Sequence, residues 1–523
     1  MKKTLRFATV IGALALSSTS CNNFLDVNEN PNAPQTVSAN LYLSPMLHWL
    51  ATSPIYDGRF VGRYTQQWTL PGTSLSTWDR MGYDPLSDNG GQLWRDVYWT
   101  FGQNLVDMMA KAEAEERWDL LGVGYILKAR GWQLITDLHG EIIIKEAFDQ
   151  SKLTFNYDSQ EYAYQEIQRL LTKAIELLQR TDGAVNQAYL GRTDLIYGGD
   201  RVKWLKFAYG ALALNLSHYS NKASYNPTEI IANVDKSFTS NADDALLTYT
   251  ATVNDDRNFL GWTRNNIRSY RQTQFVVGLM DGTQLGAVDP RMSRMLAPSP
   301  DGQYRGYNIN LTSTQQGFST ATTPNNFFGY TGTLGGGPAR YIFDDRSKMP
   351  IMTYSQLQFV KAEAARRSGA AAVALQAYQN GISSHIDFVN ARNNDAGQAP
   401  AQITSAEKSA FLANPAIVPT NAANLTLTQI MSQKYIAQWA WSHVEIWTDL
   451  RRYHYTDLDP SGTQQVFPGF APPTNLYPDN GGAVVQRIRP RYNSEYIWNV
   501  AGLDAIGGRA ADYQTKPLWI TQP

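Results

Sequence analysis

Ile167, Leu170, Leu171, Ala174, Ile175 and Leu178 recur at intervals of one, three and four residues. That spacing places all of them on one face of a 3.6-residue helix, and it is incompatible with a strand, whose faces alternate at every residue. Asp158 followed by Glu161 offers a capping box just ahead of the stripe. Leu427, Ile430, Met431, Tyr435 and Trp439 draw a second apolar stripe. A third helical segment runs from Gln356 to Arg367 and stops at Gly369, a residue suited to a left-handed C-cap. An alanine-rich helix is expected next, from about Ala370 to Val389. Helix, short turn, helix at this length predicts antiparallel pairs of the tetratricopeptide kind. The signature spacing of that repeat is not visible, so periodicity by itself establishes a mainly α fold.

The chain has 523 residues, 43% of them hydrophobic, enough to enclose a large core. Its 45 basic and 46 acidic residues are interspersed. A sequence-independent grip on nucleic acid needs a basic face, and no such excess exists. Beyond the first twenty residues no apolar stretch reaches 18 residues, so no helical span is expected in the body.

The N-terminus reads as a targeting segment. Lys2, Lys3 and Arg6 form a basic head, Phe7 to Leu16 a short apolar run, and Ser17 to Ser20 a small-residue stretch. Cys21, the only cysteine in the chain, follows directly. It has no second cysteine to pair with, although an exported compartment permits disulfides. The arrangement resembles the lipobox of bacterial lipoproteins, with Ser18 where Leu is usual. Residues 1–20 are therefore expected to be removed and Cys21 to be acylated. Residues 21–40, polar and turn-rich, read as a flexible tether to a body over 41–523. Within the tether Asp26, Asn28 and Asn30 imitate the start of a calcium loop, but Pro31 and Val37 occupy its glycine and acidic positions.

Three long stretches lack clear periodicity: 51–91, 297–340 and 459–483. Loops this long inside a compact domain are functional or disordered. Their aromatic content argues against disorder, which is aromatic-poor. The first two are expected to carry the working surface.

A search for catalytic machinery is largely negative. No two histidines stand at metal-ligand spacing, and the His443 and Glu445 fragment lacks the cysteines of a zinc deaminase. No G-x-S-x-G elbow is present, and the Gly335–Gly337 run lacks the Lys-Ser/Thr of a phosphate loop. Adjacent acids at Asp243 and Asp244, Asp255 and Asp256, and Asp344 and Asp345 do not establish the carboxylate pair a glycosidase sets across a sugar. No cofactor or metal is expected.

The segments KARGWQLITDLHGEIIIKEAF (128–148), GGDRVKWLKFAYGALALNLS, KMPIMTYSQLQFVKAEAARR and LTQIMSQKYIAQWAWSHVEIWTDLRRY occur in that order behind the signal and Cys21. Together they resemble the SusD/RagB family of nutrient-binding outer-membrane lipoproteins of Bacteroidota, over nearly the whole mature chain. The LDVNENPNAP leader looks like that of the SusD-like subgroup. The resemblance implies a helical scaffold with tetratricopeptide-like pairs and an anchor in the outer leaflet facing the medium. It also implies a SusC-like TonB-dependent barrel as partner, an oligosaccharide or in some members a peptide as cargo, and no catalysis. Two further readings stay open: a transporter-interaction subunit with little ligand binding of its own, and, last, a secreted glycosidase.

Binding a sugar requires rings to cover its C–H faces and short polar groups to satisfy its hydroxyls. Trp78, Asp79 and Tyr83 in the first loop have this character, beside Arg80. Tyr304, Tyr307, Tyr330 and Arg340 are their counterparts in the second, beside Arg305. The family commonly carries a tryptophan in the corresponding early loop, which by resemblance ranks Trp78 first. As an exposed anchor it would be worth about 2 kcal/mol of binding.

Overall fold

The computed structural model describes residues 37–331, 339–398 and 400–523. Cys21, the signal segment, most of the tether, the calcium-loop imitation and the Gly335–Gly337 run lie outside the described residues.

The fold is mainly α. Its principal helices are α1 (Leu43–Tyr64), α2 (Gly102–Ala114), α3 (Trp118–His139), α4 (Gln160–Gln179), α5 (Arg201–Ser217) and α6 (Pro227–Asp235). They continue with α7 (Gln274–Met280), α8 (Tyr354–Arg367), α9 (Ala371–Arg392), α10 (Ser405–Leu412), α11 (Leu427–Gln438) and α12 (His443–Arg452). The short strands β1 (Trp68–Thr69), β2 (Ala245–Leu247), β3 (Arg271–Gln272) and β4 (Met349–Met352) form two antiparallel ribbons, β1 with β3 and β2 with β4.

The helices stack in series: α2 on α3, α3 on α4, α4 on α5, α5 on α6, α6 on α8, and α8 on both α9 and α11. The stripe at 167–178 supplies the reason for α4. Ile167, Leu170, Leu171, Ala174 and Leu178 are buried, while Ile175 packs half-buried at the edge. The α8/α9 hairpin turns through Ser368 and Gly369, whose φ of +80° is the left-handed cap expected there. A connection this short between packed helices makes them antiparallel neighbours.

Two local expectations are corrected. The N-cap of α4 is Ser159, whose hydroxyl accepts from the Tyr162 amide. Asp158 is drawn away because its carboxylate accepts from the amides of Ile144 and Lys145 and pairs with the Lys145 ammonium. The stretch 51–91 is not all loop, since its first 14 residues continue α1, through Pro54, Gly58 and Gly62. Glycine is required at 58 because a Cβ there would meet the His443 ring at 2.1 Å, where α1 crosses α12.

Where helices converge, the interior is charged. Lys434 on α11 donates to Glu445 and Asp449 of α12, each at 3.0 Å. Arg452 forks onto Glu363 of α8 at 2.9 and 3.0 Å and reaches Asp449 at 2.6 Å. His218, after α5, contacts Glu445 at 3.0 Å. Burial raises the carboxyl pKa of Glu445, but His218 and Lys434 outweigh it and hold the group well below the usual range.

Candidate functional site

An open cleft of about 530 Å³ adjoins the β1/β3 ribbon, with Gln66 and Thr273, next to the strands, in its lining. The segment 304–310 runs along β3: the Tyr307 amide donates to the Gln272 carbonyl at 2.9 Å, and the Gln274 amide to the Tyr307 carbonyl at 3.0 Å. Gly306 makes this approach possible, since a Cβ there would stand 2.1 Å from the Thr273 carbonyl carbon. Thr273 also caps α7, so one residue starts the helix and seats the loop.

Tyr304, Tyr307, Phe318 and Phe275 give the cleft its rings, and Asn308, Asn310, Gln284, Gln274 and Gln66 its amides. Tyr307 is largely buried and meets Phe318 edge to face at 5.2 Å. Gln316 clamps Asn308 through both main-chain groups, at 3.1 and 2.7 Å. The Asn310 side-chain oxygen Oδ1 accepts from the backbone amide and hydroxyl of Thr474, at 2.8 and 3.1 Å. The Ser313 amide donates to the Gly72 carbonyl at 2.8 Å, tying the first loop to the second. Arg305 donates to Asp301 at 2.7 Å, and Asp301 is held below its ordinary pKa by that contact. Burial pushes the Tyr307 phenol up, so it stays neutral and can donate or accept.

The sequence-predicted residues divide sharply. Tyr304 and Tyr307 line the cleft, as does Arg305. Tyr330 is 40% exposed but outside the lining, and Arg340 is spent on the Leu296 carbonyl at 2.7 Å, also outside it. The expected exposure of the first-loop group is corrected. Trp78 is 2% exposed, stacked on Tyr64 at 5.2 Å and against Phe60 at 4.8 Å. Its indole donates to Asp84 at 2.7 Å. Asp79 is the buried partner of Arg63 at 2.9 Å and accepts from Thr69 at 2.9 Å. Tyr83 is buried with its hydroxyl on the Ser87 carbonyl, at the edge of a separate recess of about 220 Å³. The physical reason is shared: the first loop follows α1 directly and folds back along it, so α1's rings and Arg63 capture these side chains before solvent can. Phe318, Gln284, Asn308 and Asn310 were missed. Phe318 had a signal, a lone ring in a Gly- and Thr-rich run, whereas the amides had none.

The remaining candidates for chemistry are structural. His443 lies in the core against Trp68, ring centroids 4.6 Å apart, and burial lowers its pKa to about 3. Asp244 accepts from the Tyr354 amide at 2.7 Å, and burial pushes its pKa up to about 8. Among the described residues, no group of three or more His, Cys, Asp or Glu side chains is placed to hold a metal. Among them also, no helix is long and apolar enough to cross a membrane.

The stacked-helix scaffold thus presents a cleft of rings and amides on irregular loops. The chain belongs to the SusD-like family, whose model, described as starch-binding associating with outer membrane, matches residues 31–478. No curated protein sequence matches it. Among solved structures it is similar to a chitin-binding protein, with a TM-score of 0.71 and 20% identity over 92% of this chain and 99% of the other. A chitin-binding SusD homolog from Flavobacterium johnsoniae gives 0.70 and 19% over 92% and 98%. A SusD/RagB family protein from Bacteroides thetaiotaomicron gives 0.68 and 21% over 93% and 99%.

Proposed function

We propose that this chain is a lipoprotein of the outer-membrane surface, anchored through acyl groups on Cys21, that captures an oligosaccharide in the Tyr304–Phe318 cleft. Residues 21–40 are its tether and the body from 41 onward its binding domain. It delivers the sugar to a SusC-like TonB-dependent barrel, which it covers as a lid. The outer-membrane association in the family description supports the location, and the starch and chitin named for the family and two structural relatives support a glycan over a peptide.

The observation that carries the reading is the pairing of Tyr304 and Phe318 with Asn308, Asn310 and Gln284 around one open cleft. Rings there can cover sugar faces while amides, each both donor and acceptor, match hydroxyls. Binding is favoured over hydrolysis because, among the described lining residues, Asp281 is the single carboxylate, and cleavage needs two flanking the bond.

Calorimetry of the mature chain with Cys21→Ser, against chitohexaose, maltohexaose and a mixed peptide pool, tests the assignment. Saturable binding of a hexaose, weakened tenfold or more by Phe318→Ala, is expected. Silence with every ligand, together with co-purification of a large barrel by the native lipoprotein, would leave a transporter-interaction subunit. Saturable binding of the peptide pool alone would reassign the cargo. New reducing ends on either hexaose would make the protein a hydrolase. Mass spectrometry of the native N-terminus reads the acyl groups directly.

A further inference from the structure

A second cleft, of about 420 Å³, opens on another part of the molecule and has a different character. Its floor is aromatic and apolar: Trp94, Tyr98, Phe148, Phe155, Ile143 and Ala147. Two turns of π-helix flank it, Asp96–Phe101 and Tyr492–Tyr496. Such turns are rare and concentrate at functional sites. Phe148 sits at a φ of +69°, a backbone conformation that a bulky residue rarely adopts.

Its surroundings are unusually apolar for a solvent face. Trp99, in the first π turn and part of the lining, is 66% exposed. Leu153, between the lining residues Lys152 and Phe155, is 90% exposed, and Trp498, just past the second π turn, is 75% exposed. Large apolar side chains scattered singly need no explanation, but several gathered on the segments bounding one apolar cleft mark a protein-binding surface. A sugar fits this cleft poorly, because hydroxyls set among rings and alkyl groups would lose water without gaining partners.

Charge narrows the occupant. Of the charged groups in the lining, Lys152 is paired with Glu146 and Arg491 with Asp88. Glu495 accepts from Tyr157 and Asn499, and Asp149 from the amide and hydroxyl of Ser151. The Arg95 side chain has no hydrogen bond or ion pair among the described residues; its guanidinium lies 4.5 Å over the Trp99 ring. A guanidinium held flat on an indole keeps its edge donors for a carboxylate.

We propose that this cleft docks a segment of a protein partner that carries an aromatic side chain beside an aspartate or glutamate. The ring enters between Trp99 and Phe148, and the carboxylate pairs with Arg95. The site is independent of the Tyr304–Phe318 cleft and of what that cleft binds.

The test uses the mature Cys21→Ser chain and two capped tetrapeptides, N-acetyl-glycyl-tryptophyl-aspartyl-glycinamide and its tryptophyl-lysyl analogue, titrated by ligand-observed NMR with chitohexaose as competitor. The aspartyl peptide should bind at least threefold tighter than the lysyl one. Arg95→Gln should erase that preference. Trp99→Ala should weaken both peptides tenfold or more at an unchanged melting temperature, because its ring supports no core. Equal binding of the two peptides by the wild-type chain, or no binding of either, would overturn the proposal. So would displacement of the peptide by chitohexaose accompanied by lower glycan affinity in Trp99→Ala, which would make the cleft a sugar subsite.

Discussion

Trp78→Ala separates a ligand anchor from a core ring. Trp78 is 2% exposed and meets Phe60, Tyr64 and Tyr83 at centroid distances of 4.8, 5.2 and 5.7 Å. Removing a buried tryptophan costs about 3–5 kcal/mol, the transfer term plus the cavity left behind. The lost bond to half-buried Asp84 adds little, because water can replace it. Urea unfolding followed by far-UV circular dichroism should therefore show a midpoint lowered by about 1–2 M at a slope of about 3 kcal/mol/M. Trp78→Phe should recover more than half of the loss. Affinity of the folded protein for its glycan should stay within about fivefold of wild type, the equivalent of roughly 1 kcal/mol of indirect loop movement. An unchanged midpoint with affinity reduced thirtyfold would refute this and restore the exposed anchor that the sequence suggests.

Gly306→Ala should cut glycan affinity tenfold or more with only a small change in unfolding midpoint, because the clash with Thr273 lifts the loop off β3 without opening the core; calorimetry reads it. Lys434→Met leaves Glu445 and Asp449 buried without their shared cation, and should cost about 3–5 kcal/mol in urea unfolding. Burial lowers the His218 pKa, but Glu445 and Asp137 outweigh that and raise it to about 9. A raised pKa stabilises fully below the unfolded value of 6.5 and is lost as pH rises through about 9, a difference on the order of 3 kcal/mol. Unfolding midpoints should therefore fall between pH 6.5 and 9, and His218→Gln should flatten that decline.

The scaffold was largely legible and the cleft only half so, for physical reasons. An apolar stripe such as 167–178 states its own structure, because periodicity and burial are one fact seen twice. The α8/α9 turn was readable because Gly369 has a conformational role few residues can fill. α1 was obscured by Pro54, Gly58 and Gly62, which look like breakers; two of these glycines are small where another ring presses in, as His443 does on Gly58. Trp78 and Asp79 misled for a different reason. A ring, an acid and an arginine in a polar loop look the same whether they await a sugar or lock the loop to its neighbour, and only the position of Arg63 on α1 decides. Lys434, Glu445, Asp449 and Arg452 lie inside, where each charge finds its opposite across facing helices.

The same reasoning explains how an irregular loop can serve as a binding surface. Residues 304–318 have almost no core of their own, yet they are tied down at three places: onto β3 through the Tyr307 backbone, onto the first loop through the Ser313 amide, and onto the 459–483 segment through the Asn310 side chain. The first two of these anchors use main-chain atoms. These ties fix the loop before ligand arrives, so its ordering entropy is already spent. A frame of that kind lets the rings and amides change with the sugar while the loop path stays fixed.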